Sequence, residues 1–250
     1  MRRAVCFLTT LLALCLAGCG DDAPAAAPTP SPSATTADDS LSARDQLAGL
    51  AAIAQDRRYT ALYSWDVGNG TPRNVVVTVA TDGTWRVDIP QGAQGGTTGV
   101  TIVRVATGLY QCTLSSATDP ITPTCIKVAE KSDKVPAKYD PRVQRLFRQW
   151  LSVFTDRDAA LAVSAVQPLA GAQGGTCYSV DSNTAGLDAP ADPGVYCFAA
   201  DGLLTSARVA FGVLTLAGQA VAPATVTLPG PEVGGVPMGM TAVQPTASAF

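Results

Sequence analysis

The stretch VVVTVATDGTWRVDIP, residues 75–90, decides how the chain is read. Val75 to Ala80 is nearly continuous valine and threonine, β-branched residues that suit a pleated, half-buried surface. Asp82-Gly83 follows, a strong hairpin-turn signal. Behind it the residues alternate, with Trp85, Val87 and Ile89 on one face and Thr84, Arg86 and Asp88 on the other. The prediction is two antiparallel strands that share one apolar face.

The same pattern continues in both directions. Upstream, Tyr59 to Val67 reads as a strand that ends in the Gly68-Asn69-Gly70 turn. Before it, Ser42 and Asp45 have capping-box spacing, and Leu47, Leu50, Ala51 and Ala54 recur on one helical face as far as Gln55. Downstream, the glycine-rich GAQGG (92–96) makes a loop, and strands resume at 99–106, 109–114 and around 121–128. The period changes at Asp140-Pro141, a cap followed by a proline suited to a first helical turn. Val143, Leu146, Phe147, Trp150, Leu151 and Phe154 then fall on one helical face, with Arg142, Gln144, Arg145, Arg148 and Gln149 opposite. A second helical turn is predicted at 156–160, then strands at 162–168, 176–181, 194–199, 207–211, 213–217 and 224–228, with a tight turn at Asp201-Gly202.

These elements define one domain over residues 41–229, followed by a loose tail over 230–250 rich in glycine, proline, alanine and threonine. The expected class is α+β: a single strongly curved antiparallel sheet, an incomplete barrel, packed on a few helices. Trp85, Val87 and Ile89 are expected to meet Leu146, Phe147, Trp150 and Phe154 on the concave side. Alternation fits a packed core and a lined cavity equally well, since both need apolar residues facing inward.

The other end of the chain speaks to compartment. Arg2 and Arg3 precede a run from Ala4 to Leu16 that is almost wholly apolar, followed by small residues and Cys19. This reads as an export signal over residues 1–18, too short and wrongly flanked for an ordinary membrane span. Leu16-Ala17-Gly18-Cys19 also resembles the bacterial lipobox, which implies cleavage after Gly18 and a lipid anchor on the Cys19 thiol. Residues 19–40 form a low-complexity tether, where prolines at 24, 28, 30 and 32 favour extended geometry. The expected location is the extracytoplasmic face of a bacterial cell membrane, as a lipid-anchored monomer.

Without its first 18 residues the 250-residue chain loses two of 17 basic groups and none of 20 acidic ones, leaving fifteen against twenty, a formal charge of −5. No basic stripe is present to meet phosphodiester backbones, so no nucleic-acid partner is expected. Of seven cysteines, Cys6 and Cys15 leave with the signal and Cys19 is acylated, so four remain. An even number in an exported domain reads as disulfides. Of three possible pairings the local one, Cys112–Cys125 with Cys177–Cys197, is favoured because each pair lies within one short supersecondary stretch. Each closed loop is worth roughly 3 kcal/mol on the chain-entropy estimate.

The chain contains no histidine, which excludes Ser-His-Asp and Cys-His catalysis and histidine-ligated zinc. There is no GxSxG elbow, SxxK or KTG, and GAQGG at 92–96 and 171–175 lacks the continuation of a phosphate-binding loop. The carboxylate pairs Asp156/Asp158 and Asp181/Asp188 have the context of caps and loop surface rather than of a glycosidase cleft. No enzyme activity, cofactor or metal is expected, and Trp65, Trp85 and Trp150 are read as core.

The order of these elements, with the segments YTALYSWDVGNG (59–70), VVVTVATDGTWRVDIP (75–90), GTCYSV to GVYCFAADGLLTSARVA (175–210) and VAPATVTLP (221–229), resembles the exported half-barrel lipoproteins of actinobacteria. These are relatives of the lipoprotein carrier LolA and of the mycobacterial LppX and LprG. The resemblance implies a curved sheet wrapped over helices, with an apolar cavity that holds acyl chains in some members. It carries no catalytic signature to transfer. Two functions follow as expectations: carriage of a lipid or other apolar ligand, or a closed-core lipoprotein that binds an envelope protein through its surface.

Overall fold

The computed structural model describes residues 42–68, 70–116, 120–184 and 189–241. The export segment, the tether and Cys19 lie outside the described residues, as do Asn69, Asp188 and residues 242–250. The described residues form one compact unit.

Helix α1 spans Ala43–Asp56. The Ser42 hydroxyl accepts from the Asp45 backbone N–H at 3.1 Å and donates to the Asp45 carboxylate at 2.7 Å, so the cap satisfies groups a helix start leaves open. Leu47, Ala51 and Ala54 are its buried face. A first meander follows: β1 (Tyr59–Asp66), β2 (Arg73–Val79), β3 (Trp85–Ala93), β4 (Thr98–Val105), β5 (Gly108–Thr113) and β6 (Cys125–Ala129). A second runs through β7 (Leu161–Val166), β8 (Thr176–Ser182), β9 (Gly194–Phe198), β10 (Leu204–Val209) and β11 (Gly212–Ala220). The Asp82-Gly83 turn carries Gly83 at φ +82°, a backbone conformation glycine adopts without a Cβ clash. At the β9–β10 turn, a Cβ on Gly202 would meet the Ala54 backbone nitrogen at 2.6 Å, so glycine there lets the turn lie against α1.

All eleven strands form one antiparallel sheet in the order β6-β5-β4-β3-β2-β1-β11-β10-β9-β8-β7. The first and last strands pair at its centre, with Thr60 opposite Ala220 and Trp65 opposite Leu214. The lateral strands β6 and β7 are consecutive in sequence yet stand at opposite edges and do not pair. The expected strongly curved, incomplete barrel is therefore corrected to an open sheet with few short helices. Alternation fixes which face is buried. Curling depends on pairing and strand geometry that alternation does not specify.

Open topology explains the path of the connection between β6 and β7. Residues 130–160 must travel from one edge to the other, across ten strand spacings of about 4.8 Å each. They do so over the face bearing Tyr63, Val77, Val87 and Ile102, and their buried side chains join the same core as α1. The single amphipathic helix expected from Asp140 is replaced by a 3₁₀ turn at Val143–Phe147, a break at Arg148, and the short helix α2 (Gln149–Thr155). The cause is local. The buried Asp140 carboxylate accepts from the Arg142 backbone at 2.8 Å, from Gln144 Nε2 at 3.1 Å and from Arg145 Nε at 2.7 Å. That arrangement bends the chain tightly, with Arg142 at φ +62°. The apolar stripe survives the change: Val143, Leu146, Phe147, Trp150, Leu151 and Phe154 are all buried.

Residues 156–160 hold a single hydrogen-bonded turn, with the Ala159 N–H donating to the Asp156 carbonyl at 3.3 Å, whereas the expected strand at 224–228 is corrected to irregular chain. Instead Thr81 and Asp82 donate to the Pro223 and Ala224 carbonyls, and the Val226 N–H donates to Thr84 Oγ1 at 2.8 Å, so this segment straps the β2–β3 hairpin. The chain beyond Gly230 is also held. The Cys125 N–H donates to the Pro231 carbonyl, the Val233 N–H returns to Cys125, and the Gln94 and Gly95 N–H groups meet the Gly239 and Met240 carbonyls. The edge that β6 would otherwise present is thus capped by a parallel bridge at Glu232.

The bonds Cys112–Cys125 and Cys177–Cys197 each join residues directly opposite on neighbouring strands, β5–β6 and β8–β9. Both lie in small clusters separate from the main core, with Val103, Tyr110 and Val226 around the first and Leu169 beside the second. The staples therefore serve the ends of the sheet, outside the main core beneath the connecting segment.

Candidate functional site

Of the seven side chains expected on the concave face, all are buried and all belong to one core cluster. They touch one another and their neighbours closely. Tyr63 and Phe147 rings lie 4.9 Å apart, Phe154 and Tyr196 5.0 Å, and Trp150 meets Tyr196 edge-on at 6.0 Å. Three polar atoms at this face have backbone partners: Tyr63 Oη donates to the Leu204 carbonyl at 2.8 Å, Tyr196 Oη to the Asp192 carbonyl at 2.6 Å and Trp65 Nε1 to the Phe211 carbonyl at 3.1 Å. Burial holds the Tyr59 hydroxyl up to about 12, against an opposing pull from the Arg148 and Arg57 cations. Tyr63 and Tyr196 are driven upward by burial too.

At the rim of this face the pattern changes. Trp85, Arg104 and Leu109 form one cross-strand rung of β3, β4 and β5. Cross-strand partners share a face, so Arg104 takes the inward phase that Val100 and Ile102 hold before it. Over the rung lie Arg148, at the break before α2, and Gln149, which opens α2, with Gln55 from the end of α1. The loop after β6 closes one side with Asp133, Lys134 and Val135. Together they bound a half-open cavity of about 280 Å³.

Its chemistry is a surplus of donors. Trp85 is only 4% exposed, and its indole Nε1 is buried without a hydrogen-bond partner. Arg104 Nε is in the same condition. The remaining contacts of the two guanidinium groups are long and to carbonyls: Arg104 to Gly83 at 3.4 Å and Arg148 to Gln55 at 3.3 Å. Neither forms an ion pair among the described residues, whereas Arg57, Arg86, Arg142, Arg145 and Arg157 each face an aspartate. Burial lowers the proton affinity of both, and the charge of Arg104 lowers that of Arg148 further. Both still carry their charge at neutral pH, because a guanidinium is not deprotonated in proteins.

Sequence reasoning placed Trp85 correctly in the buried phase and missed the two arginines. Helical spacing puts Arg148 opposite the apolar stripe, and the break before α2 removes that helical phase. Arg104 had a legible signal. It continues the Val100, Ile102 alternation on the inward side, where a charge needs a reason. Among the described residues no group of three or more metal-ligating side chains forms, and no helix is long and apolar enough to cross a membrane.

The fold and this rim define a disulfide-containing, sheet-rich domain with few helices. No family model matches the chain, and no curated protein does. Among solved structures the crystal structure of MucB is similar at 13% identity with a TM-score of 0.43, over 79% of this chain. The chain spans 65% of the MucB chain. At that score the likeness carries no argument about function.

Proposed function

We propose that this chain is an exported lipoprotein, anchored through Cys19 at the extracytoplasmic face of the cell membrane, that acts without catalysis by recognition at its exterior. The observation that supports it is the packing beneath the connecting segment. Val87, Ile89, Leu146, Phe147, Trp150 and Phe154 fill the space an acyl-chain cavity would need, and a lipid carrier requires at least the 300–1,000 Å³ or so of a drug-sized site. The anchor reading is supported by the basic, apolar and LAGC order of residues 2–19. Acyl chains on Cys19 would supply the membrane affinity, at about 0.8 kcal/mol per buried methylene.

Native mass spectrometry of the membrane-extracted chain tests both parts together. The expected species begins at Cys19, carries covalent acyl mass there, and has no further lipid bound. A chain without that mass would overturn the anchor. A stoichiometric noncovalent lipid would overturn the closed core in favour of carriage.

A further inference from the structure

We propose that the cavity bounded by Trp85, Arg104 and Arg148 binds a phosphate group carried by a small molecule or a lipid headgroup. The inference rests on recognition at the exterior and names what is recognised. Its first support is charge. Arg104, Arg148 and Lys134 against Asp133 leave two positive charges around the opening, and a phosphate monoester carries about −1.5 to −2 at neutral pH. Its second support is the arrangement of donors. A buried indole N–H and a buried guanidinium Nε–H, both unpartnered, come from adjacent strands, and a second guanidinium stands over them. Leaving such groups unmatched is costly in a folded protein. Both atoms lie just behind the cavity wall with almost no accessible surface, so the oxyanion meets them after a small rotation of the two side chains and then matches them with its several lone pairs. Planar guanidinium forks suit phosphate geometry, and two half-buried arginines that repel one another gain from a dianion placed between them. The third support is size. At about 280 Å³ the cavity exceeds what a bare ion needs and lies just below the range of about 300–1,000 Å³ for small-molecule sites. That leaves room for the phosphate and a short attached group.

The test is a thermal-shift and calorimetric titration of the full chain with inorganic phosphate, against chloride at matched ionic strength. Dihexanoyl phosphatidic acid, below the concentration at which it forms micelles, is the second probe. In the wild-type chain phosphate raises the midpoint saturably, and Arg104→Gln and Arg148→Gln each weaken binding by about tenfold to a hundredfold, the loss expected for a charge-assisted hydrogen bond. Arg148→Lys keeps the charge without the fork and binds with intermediate affinity, which decides the matter if Arg148→Gln does not fold. Equal affinity for the two probes assigns a soluble phosphorylated ligand, while tighter, arginine-dependent binding of the lipid assigns a headgroup. No saturable response to either probe overturns the proposal, as does the same affinity in Arg104→Gln as in wild type. A lipid found inside the core would leave this titration unaffected, so the two readings fail separately.

Discussion

Two neighbouring rungs on the covered face of β3, β4 and β5 each hold one strongly polar side chain alongside apolar or aromatic ones, and they treat it in opposite ways. In the rung Val87, Ile102, Gln111 the glutamine is 3% exposed and fully used. Its Nε2 donates to the Tyr139 carbonyl at 3.0 Å and to the Met238 carbonyl at 2.9 Å, and its Oε1 accepts from the Met238 N–H at 2.6 Å. In the rung Trp85, Arg104, Leu109 the indole Nε1 of Trp85 and the Nε of Arg104 have no partner. The strands and the pleat are the same, so strand pairing does not cause the difference. The chain beyond Gly230 reaches Gln111 and satisfies it, while no side chain over Arg104 accepts from its Nε. A polar group satisfied within the fold is structural. One left unmatched beside a cavity is what the proposed ligand would satisfy.

The largest test of this contrast asks whether the face around the rungs is filled. Trp150→Ala should lower stability by about 3–5 kcal/mol, read as a shift of the urea midpoint, because the ring is 1% exposed and packs on Tyr196 and Phe211. A much smaller loss, with a change in co-purifying lipid, would mean that one side of the ring borders a cavity. A smaller effect breaks the satisfied rung. Gln111→Ala should cost about 1–3 kcal/mol by stranding the Met238 backbone groups, and should raise protease cleavage beyond Gly230 as the segment loosens. Unchanged cleavage would show that this segment is held without Gln111. The smallest effect probes the unsatisfied rung. Trp85→Phe removes the unpartnered N–H and keeps most of the buried ring, so stability should change by no more than about 1 kcal/mol. A loss of several kcal/mol would reveal a partner for the indole and remove one donor from the proposed site.

The comparison also marks how far the sequence could be read. The hairpin at Asp82-Gly83, the phase of Trp85, Val87 and Ile89, and the α1 cap at Ser42 depend on neighbours within a few residues, and local sequence states them. The helix at 143–154 was half legible. Its apolar stripe follows from spacing, but its break follows from a carboxylate at Asp140 that binds three groups ahead of it rather than merely opening a helix. The arginines of the cavity were harder still. A surface-phase Arg148 and a strand-phase Arg104 lie 44 positions apart, and only docking of the connecting segment brings them to one opening.

By itself the sequence determined most of the strand content, the buried phase of β3, the apolar stripe of the connecting segment and the absence of histidine chemistry, because each is a property of periodicity or composition. The tertiary structure alone decided that the sheet stays open, that β1 pairs with β11 at its centre, and that the chain beyond Gly230 caps the β6 edge. The physical reason is range. Alternation is set by the two-residue repeat of a strand, whereas edge pairing joins segments more than a hundred residues apart, and the free energy that chooses among such pairings comes from the assembled core and its hydrogen bonds.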